Sequence, residues 1–192
     1  ALRAEGRKVL VLDRSGPASG ASAGNAGILA FPEILPLASP GILRQAPRWL
    51  ADPLGPLAIR PAYALRIAPW LLRFAAASRP ARHAEILAAQ ATIMRLAEVE
   101  MQRVLQDPAL ARHAVTTGTL DLYDGAAAFE AARGDWAAKE KAGFAFRVVG
   151  DDEIEALQPG LHPRFRQGAV YAEDGRQIID PRLFTLALAQ RL

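Results

Sequence analysis

The stretch Lys8–Gly27, KVLVLDRSGPASGASAGNAG, joins an apolar run to an acidic residue and then to a loop of small residues. The run Lys8–Leu12 has no polar alternation, which is typical of a parallel strand covered on both faces. In doubly wound sheets, an acid after the second strand accepts hydrogen bonds from a ribose, and a loop of small residues lets a cofactor approach the backbone. The stretch therefore predicts one wall of a dinucleotide site, with Asp13 as the ribose acceptor.

The stretch stands unusually near the start of the sequence for such a site. Residues 1–7, ALRAEGR, are typical of the last turn of a helix, with Gly6 as the glycine that ends it. In this kind of fold that helix follows a first strand and a Gly-rich phosphate turn, and the sequence contains neither. We therefore expect the sequence to be a fragment that begins inside the motif.

Composition narrows the class of protein. The 192 residues are 51% hydrophobic with a formal net charge of +3, which is typical of a folded globular chain. The basic residues are scattered, so we expect no nucleic-acid binding. The sequence has no Cys, which excludes disulfides and thiol catalysis and fits a cytoplasmic location. The three His residues lack metal-ligand spacing, so no metal site is predicted.

The rest of the sequence predicts short strands between helices. Residues 28–56 are rich in Pro and predict an irregular wrap, packed through Phe31, Ile34, Leu43 and Trp49. The apolar stretch 53–77 is interrupted by Arg and Pro, so it predicts a buried or interfacial segment rather than a membrane span. Helices are predicted over 62–77, 80–106, 126–142, 151–157 and from Pro181, and strands over 119–123, 144–149, 169–172 and 177–179.

Two of the predicted helices carry specific patterns. In 80–106 the apolar residues fall on one helical stripe, which predicts a face packed on a core; they are Ile86, Ala89, Ile93, Leu96 and Val104. In 151–157 the acids stand in the first turn, where the helix dipole favours them. These acids, Asp151, Asp152, Glu153 and Glu155, predict a solvated helix start rather than a metal cluster.

Several segments, in this order, resemble the FAD-dependent oxidoreductases of the D-amino-acid oxidase superfamily. The resemblance is closest to the bacterial D-amino-acid dehydrogenase type (small subunit type), and it covers nearly the whole sequence. Its most specific parts are SAGNAG (22–27) and PLAIRP (56–61). The other matching segments are ILAFP (28–32), LASPGILRQAPRWL (37–50), PWLLRFAAAS (69–78), TTGTLDLYD (116–124), EALQPGLHP (155–163) and GRQIIDPRLFTLALAQRL (175–192).

The resemblance implies a fold of the α/β plus α+β class. It would be a fragment of a Rossmann-like FAD-binding domain with an inserted antiparallel-sheet substrate domain. Residues 1–29 and 181–192 would belong to the FAD-binding domain and 30–180 to the substrate domain. The GxGxxG turn would lie before residue 1, and the half that completes the flavin site would lie after residue 192.

The resemblance also implies which residues bind FAD. Asp13 would bind the adenosine ribose and Arg14 would lie beside the adenine. The pyrophosphate and flavin side would be lined by Ser22, Asn25, Ala26 and Gly27. Catalytic residues are unknown, because the resemblance implies that much of the substrate recognition comes from the half after residue 192.

The implied activity is oxidation of a D-amino acid to an imino acid, which hydrolyses to a 2-oxo acid. Electrons would then pass to a quinone or another electron carrier. The implied location is cytoplasmic, with peripheral association at the inner face of the plasma membrane. Two alternatives remain open at this point. One is an amine oxidoreductase of the same superfamily that acts on glycine, sarcosine, proline or hydroxyproline, and the other is a non-catalytic partner-binding protein.

Overall fold

A computed structural model describes residues 2, 5–44, 50 and 61–191 of the chain. The helices are α1 (Ala64–Ala77), α2 (Pro80–Val104), α3 (Pro108–Ala111), α4 (Ala126–Lys141), α5 (Asp151–Leu157) and α6 (Pro181–Ala189). The strands are β1 (Ala114–Thr116), β2 (Thr119–Leu122), β3 (Arg147–Val149), β4 (Ala169–Ala172) and β5 (Arg176–Ile178). Short 3-10 turns lie at Ala21–Ala23, Pro61–Tyr63 and Pro163–Phe165. The mixture of helices and strands agrees with the predicted class.

The described residues form two compact units. The first comprises those within Ala1–Phe31 and Ala97–Leu192, and the second those within Pro32–Leu96. The sheets and α3–α6 belong to the first unit, and α1 belongs to the second.

A three-stranded antiparallel sheet with strand order β2-β4-β3 lies in the first unit. Leu120 pairs with Tyr171, and Leu122 pairs with Ala169. Because alternate residues of a strand point to the same side, both leucines lie on one face, as the alternation in 119–123 predicts. That face packs against Ile154 of α5 in a buried cluster.

Helix α4 covers the opposite face of this sheet. Phe129 and Trp136 pack on Val170 of the central strand, and the Trp136 indole donates a hydrogen bond to the hydroxyl of Tyr123. Gly143 follows the helix at φ +87°, which is the left-handed conformation that commonly ends a helix. The predicted helix 126–142 is confirmed, and the sheet lies between α4 and α5.

A second, smaller sheet pairs β1 with β5 in antiparallel orientation. Its core joins Leu110 of α3, Ile178 of β5 and Phe184 of α6. Helix α6 begins as predicted, because the Asp180 carboxylate accepts a hydrogen bond from the Leu183 amide at 2.9 Å, and Pro follows at the first helical position. The predicted strands 169–172 and 177–179 are also confirmed, but they belong to different sheets.

Three of the four acids of α5 form ion pairs with arginines, while Asp151 and Asp152 are exposed as a solvated helix start predicts. Arg166 donates to Asp151 and, at 2.7 Å, to Glu155. Arg147 of β3 forms an ion pair with Glu153. Since Arg147 lies in the sheet, this pair ties the first turn of α5 to β3.

The Pro-rich wrap of the second unit is irregular over its described part, as predicted. Ile34 is fully buried, and Ile42 is 7% exposed. Leu43, which was predicted to pack, is instead 48% exposed. Neighbouring residues in a helical turn point about 100° apart, and here Ile42 faces inward while Leu43 lies toward the exposed side. The predicted anchor Trp49 lies outside the described residues.

The helices of 62–77 and 80–106 are confirmed as α1 and α2, with Pro69 inside α1. The predicted packed stripe on α2 is wrong over its middle, because Ile93 is 64% exposed and Leu96 is 60% exposed. Helical spacing places these residues on one side, but burial also needs a second element packed on that side. Val104, at the end of the stripe, does pack against the core around Leu110.

The predicted buried parallel strand Lys8–Leu12 is also wrong. No residue of this segment belongs to a strand, and Leu10 and Leu12 are 82% and 85% exposed. A strand needs a hydrogen-bonded neighbour, and none of the strands in the described residues pairs with it. Of the predicted helix end before it, residues 1, 3 and 4 lie outside the described residues. None of the described helices has the length and apolar character that a membrane crossing requires.

Candidate cofactor-binding site

A groove of about 650 Å³ lies in the first unit, between the loop that follows Leu12 and helix α6. Its volume falls within the range of small-molecule sites, about 300–1,000 Å³. Helix α6 packs against the 3-10 turn Ala21–Ala23 of the loop. The groove is lined by Val11, by Asp13, Gly16, Pro17, Ala18, Gly20, Ala21 and Ser22 of the loop, and by Thr185, Leu188 and Ala189 of α6.

Asp13 supplies a carboxylate to the lining of the groove. Its Oδ1 accepts a hydrogen bond from the backbone amide of Ser15 at 2.8 Å, which fixes the carboxylate relative to the start of the loop. A carboxylate has about four acceptor positions, so one amide leaves capacity for the hydroxyls of a ligand. The geometry of Asp13 is therefore compatible with the predicted ribose contact.

The loop adopts conformations that small residues allow. Gly16 has φ +87°, and Ala18 has φ +61°. The Ser19 hydroxyl donates to the Gly16 carbonyl at 2.7 Å, which closes this turn. Ala18 is 8% exposed, so a residue in the left-handed region is held inside the lining of the groove. Strain of this kind persists where the surroundings impose it, and it often marks a ligand site.

Replacing Ala18 with Gly should stabilise the complete protein by about 0.5–1 kcal/mol. The left-handed conformation costs a non-Gly residue about 1–2 kcal/mol, and the greater freedom of Gly in the unfolded chain offsets part of that gain. Thermal denaturation of A18G would measure the change. The matched control is A23G, in the same loop but without a positive φ, and it should lower stability. A lower midpoint for A18G than for wild type would contradict the explanation.

The segment Asn25–Gly27 is held against β5 instead of lining the groove. The Asn25 side chain accepts from the Gly27 amide at 2.8 Å, and the Gly27 carbonyl accepts from Ile178 at 2.7 Å. The Ala26 carbonyl accepts from the side chain of Gln177 at 2.9 Å. These bonds fix the end of the loop to the smaller sheet.

Of the six predicted cofactor residues, the structure brings Asp13 and Ser22 together in the groove. Arg14 is exposed and is not part of the lining. The sequence-based prediction missed the second wall, which Thr185, Leu188 and Ala189 form. The small residues within the otherwise apolar helix 181–189 were a signal, but only the tertiary fold shows which residues they oppose.

The lining of the groove is suited to a nucleotide more than to a metal. Its loop is largely Gly, Ala and Ser, so a ligand can approach the backbone closely, and it offers one carboxylate. Within the described residues, no cluster of three or more His, Asp or Glu side chains could hold a metal ion. The residues present therefore fit the ribose and adjoining part of a dinucleotide.

Comparison with known proteins identifies the family of the chain. The sequence pattern of the DAO family, described as FAD dependent oxidoreductase, matches residues 1–192. The chain belongs to the DAO family of FAD-dependent oxidoreductases. The predicted family and its cofactor, FAD, are therefore confirmed.

Three similar proteins are named as D-amino-acid oxidase or D-amino acid dehydrogenase. The chain is 33% identical over 188 residues to a D-amino-acid oxidase of Bradyrhizobium diazoefficiens, a match that covers 96% of the chain and 44% of that relative. It is 32% identical to D-amino acid dehydrogenase 2 of Ralstonia nicotianae over 198 residues, covering 100% of the chain and 46% of that relative. D-amino acid dehydrogenase 1 of Mesorhizobium japonicum is 28% identical over 189 residues, with 96% and 45% covered.

The chain thus spans about half the length of the curated relatives it matches. No solved structure matches it significantly.

Proposed function

We propose that the complete protein, with any sequence that flanks residues 1–192, is an FAD-dependent oxidoreductase that oxidises D-amino acids. The groove is the observation that supports this proposal. It lies between helix α6 and a loop that offers one carboxylate among small residues, in a chain of the DAO family. The names of the similar proteins supply the substrate class, D-amino acids.

In this proposal the loop holds the adenosine part of FAD. The carboxylate of Asp13 accepts from the ribose hydroxyls, and Arg14, exposed beside it, lies near the adenine. Ser22 faces the cofactor across the groove. Asn25, Ala26 and Gly27, outside the groove, line the pyrophosphate and flavin side beyond it. The bonds of Ala26 and Gly27 to β5 and of Asn25 to Gly27 hold that part of the loop in place.

We propose the domain division that follows from this site. Residues 1–29 and 181–192 belong to a Rossmann-like FAD-binding domain, and 30–180 form most of the first segment of an inserted antiparallel-sheet substrate domain. The support is that the groove is lined only by described residues from the first and last of these segments. The antiparallel pairing of β2, β4 and β3 within 119–172 supports the proposed substrate domain.

Bound FAD supplies the redox chemistry, by taking a hydride from the substrate Cα. The substrate loses that hydride and an amine proton to become an imino acid, and water then releases ammonia and a 2-oxo acid. We propose a quinone or another electron carrier as the final acceptor. The chain residues described here bind and orient the cofactor.

Anaerobic mixing of the purified complete protein with candidate substrates tests the function. D-Alanine and other neutral D-amino acids should bleach the yellow flavin absorbance, and L-alanine should not. Reduction by sarcosine, glycine or proline in place of D-amino acids would contradict the substrate class. A protein that is purified without flavin and is not restored by added FAD would contradict the cofactor proposal and favour a non-catalytic partner-binding role. Readmission of oxygen, compared with a quinone, identifies the acceptor.

We further propose peripheral association with the inner face of the plasma membrane from a cytoplasmic location. The support is the exposed surface of α1, where Leu65 is 91% exposed, Leu72 is 73% exposed and Trp70 is 53% exposed. Arg66 and Arg73 are exposed on the same helix. Apolar and aromatic side chains beside Arg are typical of helices that lie in the interface of an anionic leaflet.

The complete protein should therefore sediment with vesicles that contain anionic phospholipid. The double variant L65Q/L72Q should reduce the bound fraction at least about fivefold, because burial of a Leu side chain contributes about 1.5–3 kcal/mol. The control L37Q changes a Leu that is 78% exposed outside α1 and should bind like wild type. Equal sedimentation of L65Q/L72Q and wild type, or none of wild type, would rule out this surface.

A further inference from the structure

An ion pair in the first unit joins Arg191, two residues after the end of helix α6, to a residue distant in sequence. Asp107 precedes α3 as its N-cap, where its carboxylate accepts from the Ala109 amide at 2.9 Å. The same carboxylate receives two N–H groups of Arg191, one to each oxygen, with the Nη2–Oδ1 distance at 3.1 Å. Two parallel bonds from one guanidinium fix orientation as well as distance.

Arg191 is also anchored to helix α6, which ends shortly before it at Ala189. Its Nη1 donates to the carbonyl of Ala187 at 3.0 Å, so the guanidinium is held between the backbone of α6 and the Asp107 carboxylate. The hydrogen bond from Arg191 is the main reason that the pKa of Asp107 lies below its usual value. A carboxylate that stays ionised keeps this connection through the neutral pH range.

Helix α6 packs on the core with one side and lines the groove with the neighbouring side. Phe184 and Ala187 pack toward the core with Leu110, and the Ala187 carbonyl is the one that accepts from Arg191 just beyond the helix end. The neighbouring side, with Thr185 and Leu188, lines the groove. A shift of α6 on the core side therefore moves the groove wall by a similar distance.

We infer that Asp107 and Arg191 are a positioning pair, which sets the place of the α6 wall of the cofactor groove without touching the cofactor. The inference rests on the proposed function of the groove. Mutations that act through packed elements change coupling between sites by about 0.5–2 kcal/mol, which corresponds to about a 2- to 30-fold change in an equilibrium constant. Removing the pair leaves every residue of the groove in place. It makes the distance between the loop wall and the α6 wall less well defined, and FAD affinity falls for that reason.

The test measures FAD affinity of the complete protein by titration of its flavin-free form. D107A and R191Q should each weaken binding about 10-fold. R191K keeps the charge but loses the bidentate geometry of the guanidinium. Its FAD affinity should therefore lie between those of the two other variants and that of wild type. The charge-reversed double variant D107R/R191D should recover part of the affinity that either single change loses.

Two controls separate positioning from a general loss of stability. F129L weakens a different buried cluster, the one around Trp136 and Val170. It should therefore lower the thermal midpoint and leave FAD affinity unchanged. R103Q breaks an exposed pair with Glu100 on α2 and should change neither the thermal midpoint nor the FAD affinity.

Affinities of D107A, R191Q and R191K within twofold of wild type would overturn the inference, as would an equal loss of affinity in F129L. If wild type itself takes up no FAD, the proposed function fails and the inference fails with it, whereas binding by wild type and all variants alike overturns the inference alone.

Discussion

Replacing Asp13 with Ala should weaken FAD binding by the complete protein about 100-fold. A hydrogen bond to a charged group contributes about 1.5–3 kcal/mol, and each 1.4 kcal/mol is about tenfold in the dissociation constant. Asp13 supplies the carboxylate among the groove residues, and the Ser15 amide holds it in place. Titration of the flavin-free protein with FAD, followed by the quenching of flavin fluorescence, measures the loss.

A second substitution separates the charge of Asp13 from its role in the turn. D13N keeps an oxygen that can accept from Ser15, so it preserves the turn and loses only the charge. We expect its affinity to fall about 10-fold, between wild type and D13A. The control D135N removes an exposed acid of α4 that does not line the groove, and it should bind FAD normally. A D13A affinity within twofold of wild type would show that the ribose is held elsewhere.

Local patterns were sufficient to predict most of the individual elements. Asp180 followed by Pro181 predicted the start of α6, and the structure shows the capping bond from Leu183 to Asp180. Gly143 likewise predicted the end of α4. Such signals are complete within a few residues, because a cap or a turn satisfies backbone groups of its own neighbourhood. They do not depend on what the rest of the chain does.

Packing between elements could be predicted much less well. The apolar run Lys8–Leu12 and the stripe with Ile93 and Leu96 have the composition of buried segments, yet their large side chains are exposed. Periodicity indicates which side of a segment is apolar, but the partner that covers it is a tertiary property. The same limit explains why β4 and β5 were both predicted while their assignment to different sheets was not.

In the candidate site, one wall could be predicted from the sequence and the other could not. Asp13 and its small-residue loop were recognisable because a strand-like run, an acid and Gly-rich residues stand next to one another in sequence. Thr185 and Leu188 lie more than 160 residues further along the chain, and no local motif connects them to Asp13. Their part in the groove follows from the packing of α6 on the turn Ala21–Ala23.

Replacing Gly27 with Ala should destabilise the complete protein by about 1.5–3.5 kcal/mol and reduce its flavin content. Gly27 has φ +73°, and a Cβ there would lie 2.0 Å from the carbonyl oxygen of Ile178. The left-handed conformation alone costs about 1–2 kcal/mol. Relief of the clash would also disturb the 2.7 Å bond from the Ile178 amide to the Gly27 carbonyl, which costs about 0.5–1.5 kcal/mol.

Two other glycines of the same loop make this a graded experiment. Gly24 has φ −144° and open space around a Cβ, so G24A should be close to neutral. Gly16 has φ +87° with the same open space, so G16A should show only the conformational cost. Thermal midpoints and bound flavin per protein should therefore fall in the order wild type, G24A, G16A, G27A. Equal midpoints for G16A and G27A would mean that contact with β5 does not constrain Gly27, and the attachment of the loop to the smaller sheet would have to be abandoned.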